Sequence, residues 1–398
     1  MRILAETMWI FFTVFVLGCG LLAAWPQSVA AQCAQASTVP LVADIPLLED
    51  DLGYASLAPA IDRSVLYLRR LPAGKSFFLC GEEYSAGWLI ESLLAFRRIL
   101  AESPSPEALT ALVEKEFTLC QAAGRSSDRK IFLTGYFEPL FQASLTKTAT
   151  YRYPLYRSPP DLVFAPDERG REKKTGRMEN DAFVPYFTRA EIEHGRLLTG
   201  QELVYLADPV EVFILHIQGS GRVELADGSM RRVQFAAKNG HEYRSIGRLL
   251  VEKGVMKMDE VTLPKIIQYL KENPEQQESI LHYNDSFVFF RWGDDAGIGP
   301  LGCLGEPLTP GRSVALDQEC FPPGGLAFLS TRKPRVNAAG EIIGWEPLSR
   351  FVVNQDCGSA IRGMGRLDLF WGDGHYAEVA AGNMKYPGSL YFLVKKKR

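Results

Sequence analysis

Residues 355–371 read QDCGSAIRGMGRLDLFW. Asp356 and Asp368 each close what reads as a short strand, and Gly358, Gly363 and Gly365 interrupt the chain between them. Over residues 366–371, period-two alternation places Leu367, Leu369 and Trp371 on one face of a strand and Arg366, Asp368 and Phe370 on the other. An aspartate held among apolar neighbours on a strand loses hydration. Its charged form is then disfavoured and its pKa rises, as a general acid working near neutral pH requires. A strand-end aspartate bonded to the turn Gly372-Asp373-Gly374 would fit the same spacing. Asp356 follows the strand-like run FVVNQ (351–355) and precedes Gly358, where backbone N–H groups can turn inward. Arg362 is near enough in sequence to pair with Asp356 and hold it ionised, which suits a supporting carboxylate better than a proton donor.

The rest of the chain sets the frame. Its 398 residues, 46% hydrophobic and 23% charged, can bury a large core and predict two domains. Lys and Arg number 44 against 47 Asp and Glu, a formal charge of −3, so the overall balance points to no nucleic-acid partner and no anionic surface. Arg2 and the apolar run at 8–17, followed by GCGLLAAWPQSVAAQ, read as an export signal over residues 1–31. Two processing schemes compete. Val29, Ala30 and Ala31 suit an ordinary cleavage site, whereas Val16-Leu17-Gly18-Cys19 resembles a lipobox that would leave Cys19 lipidated, the only membrane attachment the sequence suggests. Both schemes place the mature chain in an oxidising compartment, where disulfides can form; Cys80 with Cys120 and Cys303 with Cys320 are the simplest local pairings, although spacing does not fix them.

Helical spacing dominates residues 57–117, with Ser105-Pro106 opening a second helix. Strands follow from IFLTGYFEP (131–139), then a polar stretch at 157–181 expected as a long surface loop. Residues 210–218 alternate and predict a strand ending at Gly219-Ser220-Gly221. Asp227-Gly228 predicts a hairpin turn, and two helices are expected, one ending at Gly254 and one running from Thr262 to Asn273. Beyond Phe287 only short strands with Gly and Pro punctuation are expected, which suits a small β-barrel.

Common catalytic signatures are missing. There is no phosphate-cradling loop, no dinucleotide fingerprint, no metal-spaced histidine pair and no G-x-S-x-G elbow, so no cofactor and no metal are expected. Carboxylate chemistry is left.

These residues, with TGYFEP (134–139), YLADPVEVFILHIQGSGRV (205–223), KNGHEYRSIGRLL (238–250) and PGRSVALD (310–317), resemble the membrane-bound lytic murein transglycosylase A family over about two-thirds of the chain. The resemblance implies a mainly β fold with N-terminal helices: a double-psi β-barrel with a second, inserted β-domain and a substrate groove between them. Residues 44–134 would be the first, helical part of the barrel domain, 135–287 the insert, and 288–398 the barrel segment carrying the catalytic aspartate. It further implies cleavage of the β-1,4 bond between N-acetylmuramic acid and N-acetylglucosamine in peptidoglycan. The muramoyl 6-hydroxyl would be the nucleophile and Asp368 acid and then base, with Asp356 in support. Thr134, Gly135, Tyr136, Gln218, Ser220, Asn239, Gly358 and Arg362 form the candidate glycan-binding set. Tyr136 could stack on a sugar ring, and Gln218, Ser220 and Asn239 carry groups that bond acetamido and hydroxyl substituents. The family pattern D-T-G-G-A-I-K-G is altered here at Cys357, Ser359 and Arg362, which puts the turn's approach to the sugar in question. Expected partners are glycan strands and cell-wall synthesis complexes, in the periplasm or, with a lipid on Cys19, at the outer membrane. A hydrolytic glycosidase using both aspartates and a non-catalytic glycan-binding protein are the alternatives; product mass separates them.

Overall fold

A computed structural model describes residues 29–41, 45–124, 127–166, 173–293 and 299–397. The export signal, with Cys19, lies outside the described residues as far as position 28. No helix among the described residues is long and apolar enough to cross a membrane.

Six strands close into a barrel. Ile131–Glu138, Arg366–Asp373, Ser313–Ala315, Ile342–Asp356, Leu326–Val336 and Tyr386–Lys395 pair in that order, and the last returns to the first through Tyr386↔Leu133 and Gly388↔Ile131. Two pairings are parallel, Arg366–Asp373 with Ile131–Glu138 and Ser313–Ala315 with Ile342–Asp356. Closure removes the free edges that would otherwise invite pairing with another chain. Leu133, Leu367, Leu369, Val352, Val353, Leu329 and Leu390 belong to one apolar core that extends beneath the N-terminal helices.

Those helices form where spacing and caps place them. Leu57–Arg69 buries Leu57, Ala60, Ile61, Val65 and Leu68; Ser85 caps Ala86–Ala101 and Ser105 caps Pro106–Glu116, each side chain accepting a first-turn N–H. Buried ion pairs fix the segment before them: fully buried Arg312 grips Asp50 at 2.6 and 2.9 Å, and Arg350 grips Asp51 at 2.7 Å through two nitrogens. Cys80–Cys120 is bonded as expected, but Cys320 bonds Cys33 of the helix Val29–Ala36, 287 residues away in sequence, rather than Cys303. Cys303 instead lies beside Cys357, and both are free.

After Glu138 the chain leaves the barrel for a six-stranded sheet ordered Val288–Trp292, Met230–Lys238, Ser220–Leu225, Leu140–Ser144, Glu202–Leu206 and Tyr153–Tyr156. Val288–Trp292 pairs with Met230–Lys238, so this strand belongs to the inserted sheet and not to the barrel segment. The expected strand at 210–218 is the helix Pro209–Gln218: Asp208 caps it, Pro209 occupies its first turn and Gly219, at φ +75°, ends it in the left-handed conformation. Phe213, Ile214, Leu215 and His216 are all buried, and a helix that is apolar on every side shows no helical period. The expected loop at 157–181 contributes strands Val163–Pro166 and Lys173–Glu179, paired with each other, and Ala182–Pro185 beside them. Three further helices, Arg189–Gly195, Pro274–Leu281 and His375–Asn383, were not expected; the first has a Thr188–Glu191 capping box and the second Pro274 in its first turn, whereas the third has no side-chain cap.

Candidate active site

The two aspartates stand in one row across the barrel sheet. Thr134 is in register with Asp368, Asp368 with Ala315, and Ala315 with Asp356, on four successive strands. One strand therefore separates the aspartate strands, which puts their backbones about 9–10 Å apart at the usual strand spacing. Register breaks between Val314 and Ala315, so Gln355 is the extra residue of a β-bulge. Gln355 is fully buried, accepting from Ser313 Oγ at 2.7 Å and donating to Ala60 O and Ser64 Oγ. The bulge sinks Gln355 into the core and delivers Asp356 to the outer face.

There the carboxylates have unlike surroundings. Asp356 Oδ2 accepts from the Tyr136 hydroxyl at 2.7 Å, and Oδ1 accepts the backbone N–H groups of Cys303 and Cys357, each at 2.9 Å. Its pKa stands above the ordinary 3.8 because burial outweighs the hydrogen bonds from Tyr136 and the two amides, which oppose the rise. Because amide N–H groups only donate, this cradle fits the ionised form. Asp368 has its Oδ1 buried without a hydrogen-bond partner. Burial is the main cause lifting its pKa from 3.8 to about 6; the Thr134 hydroxyl and Arg366 oppose the shift, and the charge of Asp356 adds to it. Tyr136 is pushed well above its ordinary range by burial and then by Asp356, so it stays a neutral donor, its ring tilted against Phe370 at 5.2 Å between centroids.

The other expected residues divide. Thr134 and Tyr136 join the aspartates. Gly135 lies in the same strand, but a Cβ there would come within 2.6 Å of the Trp371 indole nitrogen and 2.9 Å of Ala381 Cα, so the glycine admits the Trp371 side chain and the helix His375–Asn383. Gln218 accepts the N–H of Phe137 at 3.1 Å, linking the inserted helix to the barrel strand beside the site. Ser220 opens the next inserted strand, paired with Gln234. Asn239 is removed from the glycan-binding set: fully buried, it donates to Phe187 O and Asp285 O and accepts from Phe287 N and His241 N, which exhausts its amide. Gly358 and exposed Arg362 lie in the turn after Asp356. Asp356 takes its hydrogen bonds from Tyr136 and two amides.

Two features had not been read from sequence. Cys303 donates to Asp356 from 53 residues away, and no local pattern marks such a contact. At the hinge, Glu138 is buried and accepts from Arg232 at 2.6 Å, while Arg222 bonds Asp373 and lies 3.6 Å from Glu138. This charge cluster ties the ends of two barrel strands to the inserted sheet.

A mainly β chain with N-terminal helices, a closed six-strand barrel and an inserted β-domain, bearing two unlike aspartates on the barrel's outer face, defines the class. Residues 132–291 match the model of the MltA specific insert domain and residues 312–394 that of the 3D domain. The chain is 32% identical over 275 residues to membrane-bound lytic murein transglycosylase A of Escherichia coli (strain K12), covering 69% of this chain and 68% of that protein. The structure of a membrane-bound lytic murein transglycosylase from Agrobacterium tumefaciens superposes with a TM-score of 0.73 at 27% identity, over 90% of this chain and 98% of that one. Escherichia coli MltA with bound chitohexaose shares the fold at a TM-score of 0.67 and 24% identity, over 91% of this chain and 96% of the other. This chain belongs to the membrane-bound lytic murein transglycosylase A family.

Proposed function

We propose that this protein is an exported, envelope-associated lytic transglycosylase that cleaves the β-1,4 bond between N-acetylmuramic acid and N-acetylglucosamine and leaves a 1,6-anhydromuramoyl end. The observation that carries the mechanism is the inequality of the aspartates. Both Asp356 oxygens accept hydrogen bonds, from three donors in all, whereas Asp368 keeps a buried oxygen unpartnered and a pKa of about 6. One carboxyl is left to exchange protons.

Ordinary glycosidases use two carboxyl groups because an external water or a covalent intermediate must be managed on the far side of the ring. With the muramoyl 6-hydroxyl as nucleophile, one suffices. Protonated Asp368 gives its proton to the glycosidic oxygen as the bond to C1 breaks. The 6-hydroxyl oxygen then bonds C1, and the Asp368 carboxylate takes the hydroxyl proton. The carboxyl group ends as it began, and no water is consumed. Positioned proton transfer of this kind contributes about 10²- to 10⁴-fold, and intramolecular attack avoids the entropy of recruiting a second reactant. Asp356 is a positioning residue whose negative charge favours the proton on Asp368. Thr134, Tyr136, Gln218, Ser220, Gly358 and Arg362 remain the proposed lining of the groove between barrel and insert. The Escherichia coli relative, solved with chitohexaose bound, lends support to a glycan strand as substrate.

The test is digestion of isolated sacculi with purified protein and mass analysis of the products. Muropeptides one water lighter than their hydrolytic counterparts are expected. Reducing ends from the outset would replace this reading with hydrolysis, and intact sacculi with bound protein would replace it with glycan binding alone.

A further inference from the structure

We propose that Cys303 and Cys357 form a third disulfide, accessible to solvent, that staples together the two loops cradling Asp356. The other four described cysteines are already bonded in pairs, whereas these two are free and exposed. Their sulfur atoms and a carboxylate oxygen of Asp356 all lie within 4.8 Å of one another. The backbones that carry them are packed in direct contact. A Cβ on Gly302 would lie 2.5 Å from Gln355 O, and the amides of both cysteines converge on the same Asp356 oxygen at 2.9 Å. Gln318 Nε2 holds Cys303 Sγ at 2.8 Å from one side. Rotation of the two side chains would bring the sulfurs from within 4.8 Å to the S–S bond length of about 2.05 Å.

The chemistry is thiol–disulfide exchange with an external disulfide, either a small-molecule one such as glutathione disulfide or that of an oxidising exchange protein. The hydrogen bond to Cys357 raises the Cys303 thiol, which therefore attacks second; Cys357 gives its proton to solvent and attacks first. Cys357 Sγ bonds one sulfur of the donor and expels the other as a thiolate. Cys303 Sγ then attacks Cys357 Sγ in the mixed disulfide, loses its proton to solvent and expels the second thiolate. Two thiols are oxidised, one donor disulfide is reduced to two thiols, and two hydrogens leave the protein. The bond would lock both N–H donors onto Asp356 Oδ1, and its accessibility makes it the first of the three to yield to a reductant. Cys120 and Cys320, by contrast, are almost fully buried.

The experiment is thiol mapping of the full chain, purified without reductant and incubated with excess glutathione disulfide. Peptide mass spectrometry should find Cys303 joined to Cys357. A mild phosphine treatment should then free these two for alkylation while Cys33–Cys320 and Cys80–Cys120 survive. Activity on sacculi should drop roughly threefold or more on that reduction, as expected for loosened bonds to a charged group, and return on reoxidation. Cys303→Ser, checked for an unchanged fold by circular dichroism, should match the reduced enzyme and ignore reductant. Persistence of both thiols beside two intact disulfides, or separate glutathione adducts on each, would overturn the bond. A bond whose reduction leaves turnover unchanged would overturn the staple. Because the mapping reads mass rather than turnover, it stands whatever reaction the enzyme catalyses.

Discussion

At one end of the active row Asp368 is served by a threonine hydroxyl and keeps an oxygen without a partner; at the other Asp356 sits in a cradle of one phenol and two backbone amides. Both side chains are half-buried, both are raised by burial, and both are in register with Ala315. What separates them is the number of donors. Fixed N–H groups favour charge, and their scarcity favours the neutral acid. The same residue type thus acquires two tasks from its neighbours.

The contrast can be broken most severely at Asp368. Asp368→Asn should reduce muropeptide release by about 10³-fold or more while sparing sedimentation with sacculi, since only the proton-transfer group is lost. Turnover near the wild-type rate would assign the acid elsewhere. Asp356→Asn should cost about 10²-fold, because an amide in that cradle must turn an N–H toward donors or leave them unpaired. It should also shift the pH profile. The acid must be protonated, so wild-type kcat/KM should be greatest below about pH 6 and fall above it; removing the Asp356 charge lowers the Asp368 pKa and moves that limb to lower pH. A limb that stays in place would leave Asp356 with no electrostatic hold on Asp368. Tyr136→Phe removes one of three donors and should cost about tenfold, the scale of one hydrogen bond to a charged group. Asn239→Ala should leave kcat/KM per folded molecule unchanged but lower stability by about 2 kcal/mol, since it strands buried backbone groups that its amide now serves. Denaturant unfolding alongside kinetics distinguishes that outcome from a lost glycan contact.

Much of this arrangement was legible in the sequence where the signal was local. The alternation around Asp368 gave its strand and its apolar setting, and Ser105 and Thr262 each do cap a helix. The apolar run at 210–218 misled because apolar residues on every side erase periodicity, although Asp208-Pro209 marks a helix start and Gly219 a helix stop. The Cys303 amide on Asp356 carried no local signal, because it comes from a loop 53 residues away in sequence. Asn239 looked like a sugar ligand because its amide chemistry is the same whether it faces substrate or backbone; burial alone decides. The bulge at Gln355 required both strand partners to be known.

The direct measurement of the division of labour is a carboxyl-carbon NMR titration of the folded protein labelled at aspartate, with the Asp368 resonance assigned by its absence in Asp368→Asn. The expected midpoint for Asp368 is about 6, falling when Asp356 is replaced by asparagine. A midpoint near the ordinary value of 3.8, unmoved by that replacement, would contradict it.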